Sequence, residues 1–211
     1  MTDCFAETPR SNLLDSSMCE IPVPLCVDRR AYTVGLQLDN WEHQRRQELG
    51  LGALNSTGLL HALWELPYGI PFPITAFKMI DRETLSESNS GWVTRRHDSF
   101  LREYQPPGVI RSVVVSDQSL DRAVTKVAEH PAIFRRVATW QTAAPIRLTA
   151  VSDLALTRAK TLGVGVEVDD GIRKYELVPP ARAMRGNPAV FRWWLAELAY
   201  RNLIASKEPT V

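Results

Sequence analysis

The stretch RSVVVSDQSLDRAVTKVAEHP, residues 111–131, changes its periodicity in mid-course. Residues 109–116, VIRSVVVS, are rich in β-branched side chains and read as a buried strand. From residue 118 the spacing is helical, with Leu120, Val124, Val127 and Ala128 on one stripe. The helical reading covers 118–141, divided at Pro131 and continued by Ile133, Phe134 and Val137. PIRLTAVS, 145–152, reads as the next strand. Parallel strands need a crossover of a dozen or more residues, usually a helix. Residues 109–152 are therefore expected to form a right-handed βαβ unit.

Working toward the C-terminus, DLALTRAKTLG is a short helix, with Gly163 placed for a left-handed C-terminal residue. VGVEV (164–168), the turn Asp169-Asp170-Gly171 and KYELV (174–178) form an expected β-turn-β over 164–178. RGNPAVFRWWLAELAYRNLIASKE starts an amphipathic helix at about residue 188, ending near 205, with Asn187 as cap and Pro188 at the first helical position. Phe191, Trp194, Leu195 and Leu198 are its expected buried face. Adjacent helical residues point about 100° apart. Trp193 and Trp194 therefore cannot both be buried on one face, and an exposed tryptophan suits a protein interface.

Toward the N-terminus, AYTVGLQL (31–38) alternates as a strand, and Ser56 or Thr57 can cap a helix carrying Leu59, Leu60, Leu63 and Trp64. PYGIPFPI (67–74) is extended by its prolines, and TAFKMI reads as a short strand. Residues 81–108 are polar and nearly aperiodic, the pattern of a long loop. Residues 1–30, with Pro9, Pro22 and Pro24, read as an extended or disordered arm. The fold class is α/β (or α+β), a mixed sheet around the central βαβ unit, in one domain spanning 31–211.

Composition narrows the functional classes. Of 211 residues, 45% are hydrophobic and 23% charged, as in an ordinary globular chain. No apolar run approaches the ~20 residues of a membrane span. The N-terminus lacks a basic start and apolar centre, so a cytoplasmic location and no membrane contact are expected. Cys4, Cys19 and Cys26 are odd in number and irregular in spacing, which argues against disulfides and zinc. The net charge is only +1, yet 20 of the 25 basic residues are arginine, the side chain best suited to phosphate.

Four candidate sites follow. Asp117, Asp153 and Asp169 lie just past expected strand ends, where open α/β sheets bind ligands. Together they could hold Mg²⁺ for phosphodiester cleavage. Capping and turn chemistry accounts for the same three residues, and that reading is preferred. His97 beside Asp98 invites a general-base role, without any nucleophile motif to serve. Arg95, Arg96 and Arg102, interleaved with Trp92 and Tyr104, match the chemistry of phosphate grip and base stacking, and a solvated loop with its aromatics anchored in the core accounts for the same residues. Arg182 and Arg185 belong to a basic C-terminal stretch, 173–201, with six basic residues against two acidic. LGVGVEV runs into a strand and is no dinucleotide loop.

The strand–helix–strand rhythm of 109–168 resembles the closing half of PD-(D/E)XK-type nuclease cores. No E-x-K or D-x-K falls on an expected strand, so the residues that would carry that chemistry are missing. The expected function is a non-catalytic subunit that binds RNA or single-stranded DNA, or sits with protein partners in a nucleoprotein assembly. It needs no cofactor. A Mg²⁺-dependent nuclease or phosphodiesterase is one alternative, and a protein-interaction module another.

Overall fold

A computed structural model describes residues 20–27, 29–142, 152–184 and 190–206. Strands β1 (Ile21–Val27) and β2 (Arg30–Leu38) form a hairpin that turns at Arg29, φ 63°. Helix α1 (Asn40–Glu48) follows Asp39, whose side chain accepts the Glu42 N–H; α2 (Thr57–Glu65) is capped in the same way by Ser56. Next come β3 (Phe72–Pro73), a 3₁₀ turn at Ile74–Ala76, and α3 (Met79–Ser86). A second hairpin pairs β4 (Val93–Arg96) with β5 (Ser99–Arg102). The chain continues through β6 (Gly108–Asp117), α4 (Leu120–Ala128), β7 (Arg135–Gln141), α5 (Asp153–Leu162), β8 (Gly165–Asp169), β9 (Lys174–Val178) and α6 (Val190–Ala205).

The main sheet has six strands in the order β1-β2-β6-β7-β8-β9. β6, β7 and β8 are parallel, and the pairs β1/β2, β2/β6 and β8/β9 are antiparallel. The fold is thus mixed α/β, and β6–α4–β7 is its central βαβ unit. The return strand of that unit is Arg135–Gln141, a segment expected to be helical. Pro131 accounts only for the end of α4, because proline lacks an N–H and its ring clashes with the preceding turn. Val137, Thr139 and Trp140 then favour a strand, which completes pairing on both sides. The expected strand at 145–152 lies outside the described residues except for Ser152, which caps α5 by accepting the Ala155 N–H.

Helices α4, α5 and α6 pack on one face of this sheet. Their Leu120, Val124, Val127, Ala155, Ala159, Leu195 and Ala199 share one core with Val34, Leu36, Val113, Val115 and Val166. Gly163 ends α5 in the left-handed conformation, φ 65°. Among the described residues no helix is long and apolar enough to cross a membrane.

A second core lies between α2, α3, α6 and a three-stranded sheet of order β3-β5-β4. Residues 81–108, expected as a loop, supply much of it through Leu85, Trp92, Val93, Phe100 and Tyr104. Their apolar residues are few and irregularly spaced, but nearly all point inward. TAFKMI, expected as a strand, is the 3₁₀ turn and the start of α3. The expected arm also contains a regular element, since Ile21–Val27 is the edge strand β1. Residues 1–19 lie outside the described residues.

Helix α6 joins the two cores. Leu195, Ala196, Ala199 and Leu203 face the main sheet, Trp193 faces the smaller core, and Trp194 packs against both. The single buried face expected for this helix is therefore two faces. Both tryptophans are half-buried, whereas Phe191, expected inside, is 39% exposed. Asn187 and Pro188 lie outside the described residues.

Candidate functional site

The C-terminal edge of the parallel strands carries Asp117 and Asp169, but local chemistry occupies both. Asp117 Oδ1 accepts the Ser119 N–H at 2.9 Å, and Oδ2 accepts from Lys126 Nζ at 2.8 Å. Arg122 Nε is 3.3 Å from the same carboxylate. The hydrogen bond from Lys126, then that from the Ser119 amide, holds its pKa below the ordinary value. Ser119, one turn step later, is the cap of α4. Asp169 accepts the Gly171 N–H at 3.0 Å and has Lys174 Nζ at 3.8 Å. Asp153 is exposed in the first turn of α5, where its charge suits the helix dipole, and Ser152 is the cap. Among the described residues no three His, Cys, Asp or Glu side chains gather as a metal-binding group. Beside this edge lies an open cavity of about 530 Å³ lined by Gln118, Trp140, Gln141 and Thr142.

The Arg/aromatic stretch separates into two populations. Trp92 and Tyr104 are core residues, 5.7 Å apart in an edge-on ring pair, and offer no face for an exposed base. Arg102 is half-buried, donating to the Leu63 and Leu66 carbonyls at 3.1 and 2.6 Å and lying over Tyr68 and Trp193. It closes the C-terminus of α2, where carbonyls lack helical partners. Burial lowers its pKa from the usual arginine value. Arg95 and Arg96, by contrast, are exposed on the last two residues of β4. His97 and Asp98 make the two-residue turn that follows, with His97 in the left-handed region at φ 52°. His97 is exposed and serves the turn.

Of the C-terminal basic residues, Arg182 is exposed on the segment after β9, and Arg185 lies outside the described residues. Arg192 is half-buried and donates to the Ile133 carbonyl at 3.2 Å. Arg182 follows β9 of the main sheet, whereas the β4–β5 tip belongs to the small sheet.

A cluster that sequence reasoning missed lies where α1, α6 and the second core meet. Glu42, Arg46 and Glu197 are 0, 0 and 2% exposed. Arg46 Nε donates to Glu42 at 2.8 Å, and Nη1 and Nη2 donate to the two Glu197 oxygens at 2.9 and 2.8 Å. The remaining donors reach the Gly52 and Gln105 carbonyls, at 3.4 and 2.8 Å. All five guanidinium protons are thus used. Glu197 also accepts from the Leu54 N–H at 2.7 Å and the Tyr104 hydroxyl at 2.9 Å, and Arg45 doubly donates to Glu42. Trp92, Tyr104 and Tyr200 surround the Arg46 guanidinium at 4.7, 5.6 and 5.1 Å from their ring centres. Burial opposes the Arg46 charge, but the hydrogen bonds and field of Glu197 and Glu42 outweigh it and raise its pKa. Burial and then the charge of Glu197 push the Tyr104 hydroxyl upward. Two arginines balance two glutamates, and Glu42, Arg46 and Glu197 are buried. The cluster is a junction between layers, closed to a substrate.

Between α2 and the start of α6 runs an apolar groove of about 760 Å³, lined by Leu60, His61, Trp64, Val190, Phe191 and Trp194. Comparison of the chain with protein-family models, with curated proteins and with solved structures gives no match.

Proposed function

We propose that the protein is a non-catalytic nucleic-acid-binding or nucleoprotein-assembly subunit, and that its contact with nucleic acid is the β4–β5 hairpin tip. The observation that carries this reading is the pair Arg95 and Arg96. Both are exposed, and no described carboxylate pairs with either. Side chains alternate along a strand, so these neighbours project to opposite sides of the hairpin. Val93 anchors its base in the second core, and Phe100, directly opposite Arg95, anchors it one pair from the tip. A rigid ribbon with a guanidinium on each side suits phosphates flanking a groove or a strand.

Trp92 and Tyr104 are held in the core, so the contact is with phosphates rather than bases. Affinity is then largely indifferent to sequence and steeply salt-dependent. The test is fluorescence anisotropy with labelled single-stranded RNA, single-stranded DNA and duplex across a salt series. The double variant R95E/R96E is expected to bind more weakly and to lower the slope of log affinity against log salt by about 2, one per lost phosphate contact. Unchanged affinity and slope in that variant, with its circular dichroism intact, overturns the proposal.

A further inference from the structure

The main sheet ends on β9, whose outer edge no described strand covers. Lys174, Tyr175 and Glu176 are all exposed there. In the β8–β9 hairpin, Val168 stands opposite Tyr175, Glu167 opposite Glu176 and Asp169 opposite Lys174. The Asp170 N–H donates to the Arg173 carbonyl at 3.2 Å, which marks 170/173 as a hydrogen-bonded pair. Antiparallel pairs alternate between bonded and non-bonded. The next bonded pair is 168/175, so the amides and carbonyls of Lys174 and Glu176 point outward, away from β8.

From this edge we infer that a second copy of the chain docks β9 against β9, antiparallel, about a two-fold axis through Tyr175. That register places Lys174 opposite Glu176 of the second copy, and Glu176 opposite its Lys174. The outward amides and carbonyls of these residues are the ones that a bonded pair needs. Tyr175 meets its own counterpart in a non-bonded pair, where side chains come closest. Shifting the axis to either neighbour, Lys174 or Glu176, sets like charges against each other.

The electrostatics of the free edge favour the same occupant. Glu176 stands directly across from Glu167 of the same chain, a like-charge pair that cross-strand packing disfavours. On the docked edge its other neighbour is an ammonium group. The two copies then share one twelve-stranded sheet. This dimer does not depend on nucleic-acid binding, because the hairpin tip of Arg95 and Arg96 is on the other sheet.

Sedimentation velocity of the full chain tests it, with circular dichroism to confirm folding. The wild type is expected to sediment at twice the 23.7 kDa chain mass. K174E sets Glu against Glu176 twice, once on each side of the axis, and is expected to weaken the dimer by about tenfold or more. The charge-swapped double variant K174E/E176K restores opposite pairs and is expected to recover the dimer. A monomeric wild type overturns the inference, as does a dimer indifferent to K174E or one that K174E/E176K fails to restore. Both residues are exposed, so the variants are expected to keep the fold.

Discussion

At the level of single residues, Glu197 carries more partners than any other carboxylate described above. It holds two guanidinium nitrogens of Arg46, a backbone amide and a tyrosine hydroxyl. Glu197→Gln keeps the volume but strips one of the two carboxylate charges that balance Arg45 and Arg46, leaving only Glu42. Breaking one side of a buried pair leaves the other charge uncompensated, at a cost of about 3–5 kcal/mol. Tyr104→Phe removes one hydrogen bond to a charged acceptor, about 1.5–3 kcal/mol, and leaves both charges in place. Urea unfolding is expected to rank Glu197→Gln as the more damaging. The reverse order would mean that the ring packing around Arg46, rather than the ion pair, holds the junction. The link across this junction was not legible in the sequence, since Arg46 and Glu197 are 151 positions apart. The available hints were a glutamate set among Leu195, Ala196, Leu198 and Ala199 and the i,i+4 spacing of Glu42 and Arg46.

Elements were legible where their signals are local. The β-branched run of β6, the stripe of α4 and the β8–β9 hairpin each rest on side chains within a few residues. The end of α5 is the sharpest case. Gly163 has φ 65°, and a Cβ there would lie 2.9 Å from the Ala181 Cβ. Gly163→Ala therefore meets both backbone strain and a close approach, and is expected to cost at least about 1 kcal/mol in a thermal melt. Stability equal to wild type would show that the chain after β9 yields freely. β7 was misread for a different reason. Ile133, Phe134 and Val137 satisfy a helical spacing, and only pairing with β6 and β8 decides the segment. The candidate site divides in the same way. Exposure of Arg95 and Arg96 follows from their place beside a two-residue turn, whereas the burial of Trp92, Arg102 and Tyr104 depends on contacts with α2 and α6.

On the scale of the whole molecule, two cores share one helix. Leu195 belongs to the main core, while Trp193 of the same helix packs on Trp64 and Tyr104 in the other. Loss of either core strips one side of α6, so the two are expected to unfold together. With Trp41, which is exposed, and Trp140, which lies on β7, replaced by phenylalanine, fluorescence reports the smaller core and its seam with α6, and far-UV circular dichroism follows the whole chain. Leu195→Ala is expected to destabilise by about 2–5 kcal/mol and to move both signals to the same lower midpoint. A fluorescence midpoint left unchanged while the dichroism shifts would separate the cores into independent units.

The two rims of the six-stranded sheet differ in kind. Pro22 and Pro24 stand at alternate positions of β1, opposite Gly35 and Thr33. Proline fits an edge ladder only with its nitrogen turned outward, where it has no proton to donate. That rim is a dead end for further strands. Stoichiometry follows from this asymmetry: a sheet extended at β9 has a proline-sealed border at both extremities, so assembly stops at a pair and cannot run on into a fibre.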